Sequence, residues 1–159
     1  MSLIDIKRKI ILLLVTAGPA GYFPVAPGTC GTLIAVPFSL ALNRLATFSI
    51  ALALVALVGF ISGAIWLSGK GAAILEQKDP SVIVIDEIAG FLLANFLAPF
   101  GKVSLSLAFV LFRFFDIAKI YPASRIEKLP GGKGIVLDDV VAGLYCFSIL
   151  QLLNCWELI

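Results

Sequence analysis

The sequence predicts an all-α, polytopic membrane protein, a bundle of about four to five helices with one or two short or re-entrant segments. Two observations carry this. Of 159 residues, 60% are hydrophobic and 14% charged, against about 45–50% and about 25% in a soluble domain. A chain this short cannot bury so much apolar surface within itself, so a bilayer is its natural solvent. The apolar runs are also long and lack the alternation of a membrane barrel, which leaves helices as the spanning element. No linker divides the chain, and residues 1–159 are expected to form one membrane-embedded domain.

The elements follow in order. Lys7, Arg8 and Lys9 precede an apolar run at 10–17, an arrangement shared with signal peptides. No small-x-small cleavage site follows, and residues 18–24 lead straight into a dense motif. Residues 1–17 are therefore expected to stay as an amphipathic or re-entrant element. The run at 32–42 is short and spans only by borrowing from its flanks. Residues 46–67 carry no charge and are long enough for about 30 Å of hydrocarbon. Three further apolar segments contain charges: 82–98 holds Asp86 and Glu87, 103–121 holds Arg113, Asp116 and Lys119, and 134–156 holds Asp138 and Asp139. Connectors are expected at 43–45, 68–81, 99–102 and 122–133, where Gly, Pro and charge collect.

Threading these segments through a bilayer brings the unusual polar residues to one face. Segment 24–31, both acid-bearing helix starts and the Asp116–Lys119 helix end all fall there. Lys70, Lys78, Lys119, Arg125, Lys128 and Lys133 lie on that face against Arg44 and Lys102 on the other. Lys7, Arg8 and Lys9 join the first group if residues 9–18 do not span. The positive-inside rule makes this face cytoplasmic.

A charge at the centre of a membrane helix costs at least about 2.5–3.5 kcal/mol. Five acids on three converging helices, Asp86, Glu87, Asp116, Asp138 and Asp139, therefore point to a site. Taken singly, Asp86 and Asp138 also fit acids favoured by a helix N-terminus. Clustered carboxylates repel one another unless a cation is present, and Mg²⁺ is a hard cation that works with one or two carboxylates and a substrate phosphate. Arg113, Asp116 and Lys119 follow at helical spacing, so neighbouring pairs share a face. This places two cations for phosphate oxygens around an acid. Gly90 and Gly143 each lie four residues after an acid and allow close helix packing. The Gly-rich segments 24–32 and 129–134 offer backbone N–H groups to an anion.

Absences narrow the chemistry. The chain has no histidine, which removes phosphohistidine intermediates and Ser-His-Asp triads. No cysteine precedes an arginine at the spacing of a cysteine-phosphatase loop, and no Asp-x-Asp occurs. Cys30, Cys146 and Cys155 show neither a disulfide framework nor zinc spacing. A net charge of +2 is too small to suggest a nucleic-acid partner. Metal-assisted chemistry on carboxylates remains.

Four ordered stretches resemble the phosphatidylglycerophosphatase A family: Pro27-Gly-Thr-Cys-Gly-Thr, Asp86-Glu-Ile-Ala-Gly, Phe112-Arg-Phe-Phe-Asp-Ile-Ala-Lys, and Gly131-Gly-Lys-Gly-Ile-Val-Leu-Asp-Asp-Val-Val-Ala-Gly. Ile120 departs from the pattern, standing where many relatives have proline. The resemblance implies Mg²⁺-dependent hydrolysis of phosphatidylglycerophosphate to phosphatidylglycerol and phosphate, in phospholipid biosynthesis at the bacterial cytoplasmic membrane. The partner would be a phospholipid in the bilayer. The expected roles are Asp86, Asp138 and Asp139 for the metal, with Asp116 near them, and Glu87, Asp116, Arg113 and Lys119 for catalysis. Glu87 or a neighbouring aspartate would orient the attacking water. Thr29, Thr32, Arg113, Lys119 and Lys133 would bind substrate. A CDP-alcohol phosphotransferase also clusters aspartates around a divalent metal, but its Asp-Gly-x-x-Ala-Arg signature is missing. A cation transporter has no need of Arg113 and Lys119 beside the acids.

Overall fold

The computed structural model describes residues 3–159, and every regular element among them is helical. The elements are α1 (Leu3–Val15), a 3-10 turn (Ala20–Tyr22), α2 (Pro27–Phe48), α3 (Ile50–Leu75), α4 (Ile85–Ala94), α5 (Lys102–Ala118), α6 (Ala123–Ile126) and α7 (Gly132–Cys155). Of these, α2, α3 and α7 are long and apolar enough to cross a membrane. The all-helical membrane bundle expected from composition is the architecture found.

Helix α2 starts on Pro27, whose fixed φ suits a first helical position. Ala26 turns the chain into it from a left-handed conformation, φ 51°. The helix then runs for 22 residues, through the connector expected at 43–45. The break falls instead at Ser49, which is extended, and whose hydroxyl accepts from the Leu52 amide to cap α3. Nothing at 43–45 breaks a helix. Arg44 reaches out over the Phe100 ring, 5.1 Å from its centroid. The spanning segment read as 46–67 is accordingly shifted to Ile50–Leu75.

The expected helix over 82–98 is also corrected. Helix α4 has ten residues, about 15 Å, or half the hydrocarbon thickness. The chain leaves helical geometry at Asn95 and continues irregularly to Gly101. Loose backbone groups at membrane depth need protein partners, and the bundle supplies them. The Asn43 amide donates to the Asn95 carbonyl at 2.7 Å and accepts from the Leu97 amide at 2.9 Å. Asn95 donates its own side-chain amide to Ser39 Oγ at 3.1 Å, and Gln151 donates to the Phe96 carbonyl at 3.2 Å. Asn43 is thus a buried clamp on the end of α4. Asn43→Ala strands one backbone donor and one acceptor, and should cost about 1–3 kcal/mol. Thermal unfolding in detergent measures this; an unchanged midpoint would remove the clamp from the account.

Helix α4 sits at the centre. It packs on α2, α3, α5 and, most extensively, α7. Around it α2 joins α3, α3 joins α7 and α7 joins α5. Phe91 anchors its far side, edge-on to Phe109 and Phe112 at centroid distances of 6.2 and 5.9 Å. The α4–α7 approach depends on two glycines. A Cβ on Gly90 would lie 2.6 Å from the Asp139 carbonyl oxygen, and one on Gly143 would strike the Gly90 carbonyl oxygen.

The N-terminal element is built into this arrangement. Val15 is fully buried, packs on Gly71, and accepts the Val84 amide through its carbonyl at 2.8 Å. Gly21 lies against the Val82 carbonyl with no room for a side chain. The α1 turn therefore docks beside the start of α4.

Candidate active site

The start of α2, the start of α4 with the loop before it, the end of α5 and the start of α7 enclose a polar cavity of about 250 Å³. The convergence on one end of the bundle that threading suggested is realised. Asp79, Asp86, Glu87, Asp116, Asp138 and Asp139 line the cavity together with Arg113 and Lys119. Six acids face two cations.

Asp86 and Glu87 occupy the first turn of α4, and Asp139 enters from the second turn of α7. The glycine contact between those helices brings the three acids together. One carboxylate oxygen from each lies within 4.8 Å of the other two. Asp86 Oδ1 and Glu87 Oε2 are buried with no hydrogen-bond partner. Oxygen donors left unpaired, close together and carrying like charge fit a hard divalent cation. Asp86, Glu87 and Asp139 are the residues arranged to hold one.

Asp138 is used differently. Lys119 ends α5 in a left-handed conformation, φ 44°, and from there its ammonium donates to Asp138 Oδ2 at 2.7 Å. It also pairs with Glu127 at 2.9 Å. Partial burial disfavours the Lys119 charge, but Asp138 and Glu127 outweigh it and raise its pKa above the ordinary lysine range. Glu127 is held below the ordinary glutamate range by the Lys119 hydrogen bond. Lys119 therefore stays charged at neutral pH. The second Asp138 oxygen is buried and unpaired.

Arg113 pairs with Asp116 one turn on at 2.5 Å and comes within 4.0 Å of Glu87. Its guanidinium also abuts Gly28. A Cβ there would collide with Glu87 Oε1 and sit 3.1 Å from Arg113 Nη1. Gly28 is thus needed for α2 to approach these side chains.

The family described as phosphatidylglycerophosphatase A matches residues 13–154. The chain belongs to the phosphatidylglycerophosphatase A family. A Haemophilus influenzae protein named phosphatidylglycerophosphatase A is 36% identical over 159 residues, covering 98% of this chain and 94% of that one. The Escherichia coli K12 protein of the same name is 31% identical, over 89% of this chain and 82% of that one. A Bacteroides thetaiotaomicron protein with the provisional name of a phosphatidylinositol-3-phosphatase is 36% identical, over 91% of this chain and 94% of that one. No solved structure matches. This member of the phosphatidylglycerophosphatase A family is therefore a membrane phosphatase with spanning helices.

Seven of the residues singled out from sequence line the cavity: Asp86, Glu87, Arg113, Asp116, Lys119, Asp138 and Asp139. Of the expected metal ligands, Asp86 and Asp139 come together, joined by Glu87, which was expected in catalysis, while Asp138 stands on Lys119. Thr29, Thr32 and Lys133 do not line it. Thr32 is fully buried and donates to the Gly28 carbonyl within its own helix at 2.9 Å. Thr29 is half-buried, and Lys133 is exposed. Sequence reasoning passed over Asp79, at the cavity edge, and Glu127. Both are connector acids, with no helical spacing or membrane burial to mark them.

Proposed function

We propose that this phosphatase hydrolyses phosphatidylglycerophosphate to phosphatidylglycerol and phosphate, with Mg²⁺ at Asp86, Glu87 and Asp139, as a step in phospholipid biosynthesis. The observation that carries this is the cavity itself, where three clustered acids, two of them with unpaired buried oxygens, stand beside Arg113 and Lys119 inside a membrane bundle. The names of the Haemophilus influenzae and Escherichia coli relatives support the substrate. The lysines and arginines counted on this end support a cytoplasmic site in the inner membrane.

When bound, Mg²⁺ would supply positive charge to the phosphoryl oxygens as a Lewis acid. The chain's own residues do the rest. Arg113 and Lys119 bring fixed positive charge to the phosphoryl group, where negative charge grows in the transition state. Asp138 and Glu127 hold Lys119 in place, and Asp116 aims the Arg113 guanidinium. Asp116 also borders the acidic trio, where it orients the attacking water as a hydrogen-bond acceptor.

A phosphate-release assay on purified protein tests this, with Mg²⁺ and with a chelator. Phosphatidylglycerophosphate and phosphatidylinositol 3-phosphate are supplied in parallel, since the Bacteroides thetaiotaomicron relative carries the latter activity in its name. Release from phosphatidylglycerophosphate with Mg²⁺ alone is expected. Preference for the inositol lipid would replace the substrate assignment, and full release in chelator would remove the metal.

A further inference from the structure

A phosphorylated glycerolipid whose phosphate sits in the cavity must pass its acylated part out to the bilayer between two of the helices that ring α4. The ring is closed on three sides, where α2 packs on α3, α3 on α7, and α7 on α5. It is open on the fourth: α5 and α2 make at most marginal contact. The cavity lies at the end of that open side, since Pro27 and Gly28 of α2 and Arg113 and Asp116 of α5 all line it.

Helical periodicity shows what borders the opening. Phe38, Leu42 and Leu45 of α2 turn toward Leu57 and Phe60 of α3, so the opposite flank of α2 carries Thr29 and Val36, seven residues apart. Both are half-buried. On α5 the matching stripe is Arg113, Phe109 and Ser106. Phe109 packs down on Phe91 of α4, which makes an aromatic floor. Arg113 closes the cavity end of this seam by reaching from α5 to Gly28 of α2. Arg44 over Phe100 closes the far end. The seam thus has Val36 and the Phe109–Phe91 floor along its middle and a cation where it meets the cavity, which is the polarity of a phospholipid laid along it, tails outward and phosphate inward.

We propose that the seam between α2 and α5 is the lateral route by which the diacylglycerol part of the lipid substrate lies in the bilayer while its terminal phosphate reaches the cavity and Arg113 at the junction. Thr29 then has a place, at the seam and outside the cavity. The inference rests on the substrate being a phosphorylated glycerolipid.

The test compares dioleoyl phosphatidylglycerophosphate with its deacylated head group, glycerophosphoglycerophosphate, on Val36→Trp and Ser106→Trp. Plugging the seam should lower the ratio of long-chain to head-group kcat/KM by about tenfold or more. Val55→Trp, on the exposed outer side of α3, should leave the ratio as in the wild type. A ratio unchanged in both seam variants overturns the route. A second measurement needs no variant: phosphatidylglycerol carrying a photoreactive acyl chain is cross-linked to the wild type and the labelled peptides are mapped. Labels on residues 102–113, together with Thr29 or Val36, support the route. Labels confined to the separate apolar groove between Leu14, Phe38 and Phe60 overturn it while the substrate assignment stands. No phosphate release from the long-chain lipid by the wild type overturns the substrate assignment and the route together.

Discussion

Asp86→Asn is expected to lower phosphate release by at least about a hundredfold, more than the loss seen when a mere supporting partner of a metal ligand is removed. The side chain keeps its shape and loses its charge, so the effect isolates the carboxylate. Asp86 shares a site with Glu87 and Asp139, and its Oδ1 is buried and unpaired. Removing one of several clustered like charges relieves repulsion in the metal-free fold. The thermal midpoint without Mg²⁺ should therefore be unchanged or raised. The wild type should gain midpoint as Mg²⁺ is added, because a ligand that binds only the folded state stabilises it. In Asp86→Asn that gain should shrink or vanish. Activity, midpoint and Mg²⁺ titration are read on the same preparation. Retained activity together with a full Mg²⁺-dependent gain would take Asp86 out of the metal site.

Gly143→Ala should damage the site from the packing side. The added Cβ would strike the Gly90 carbonyl oxygen and lie 3.4 Å from the Ala94 nitrogen. Both belong to backbone, which cannot rotate aside, so α7 and α4 must separate. Overpacking of this kind costs about 1–3 kcal/mol. These helices carry Asp139 on one side and Asp86 and Glu87 on the other, and a misplacement of about 1 Å at such a site can cost about a hundredfold in rate. Gly63→Ala in α3 is the control. Nothing lies within 4 Å of a Cβ there, and alanine should stabilise that helix by up to about 1 kcal/mol. Unfolding midpoints of the two variants in detergent should move in opposite directions. A Gly143→Ala protein as stable and active as the wild type would show that the helices do not need this closeness.

The acids were legible in the sequence because charge inside an apolar helix is costly and therefore conspicuous. Their meeting at one end followed from alternating helix direction alone, and the structure realises it at the cavity. Helix lengths were harder to read. The apolar run after Glu87 continues to Ala98 with only Asn95 interrupting it, a weak local signal that α4 stops at Ala94. It stops there because Asn43, more than fifty residues away, takes over the hydrogen bonds of the departing backbone. The same Asn43 looked like part of a connector, since a polar pair interrupts the apolar run and its buried use is invisible without the partner. Local charge spacing likewise linked Lys119 to Asp116 and Arg113. Only the fold shows that Lys119 turns away, through its left-handed backbone, to Asp138 and Glu127.

The shortness of α4 bears on how the protein is made. A ten-residue helix opening with two acids is too short to settle across a bilayer by its own hydrophobicity. Its most extensive partner, α7, lies C-terminal to every helix it packs on and leaves the ribosome after them. Until then Asp86 and Glu87 lack the surroundings that make their burial tolerable. The acidic helix thus reaches its seat late in biogenesis, after α2 and α3 have spanned. A chain that stops short of α7 loses Asp138 and Asp139 and, with them, the wall against which the other acids are folded.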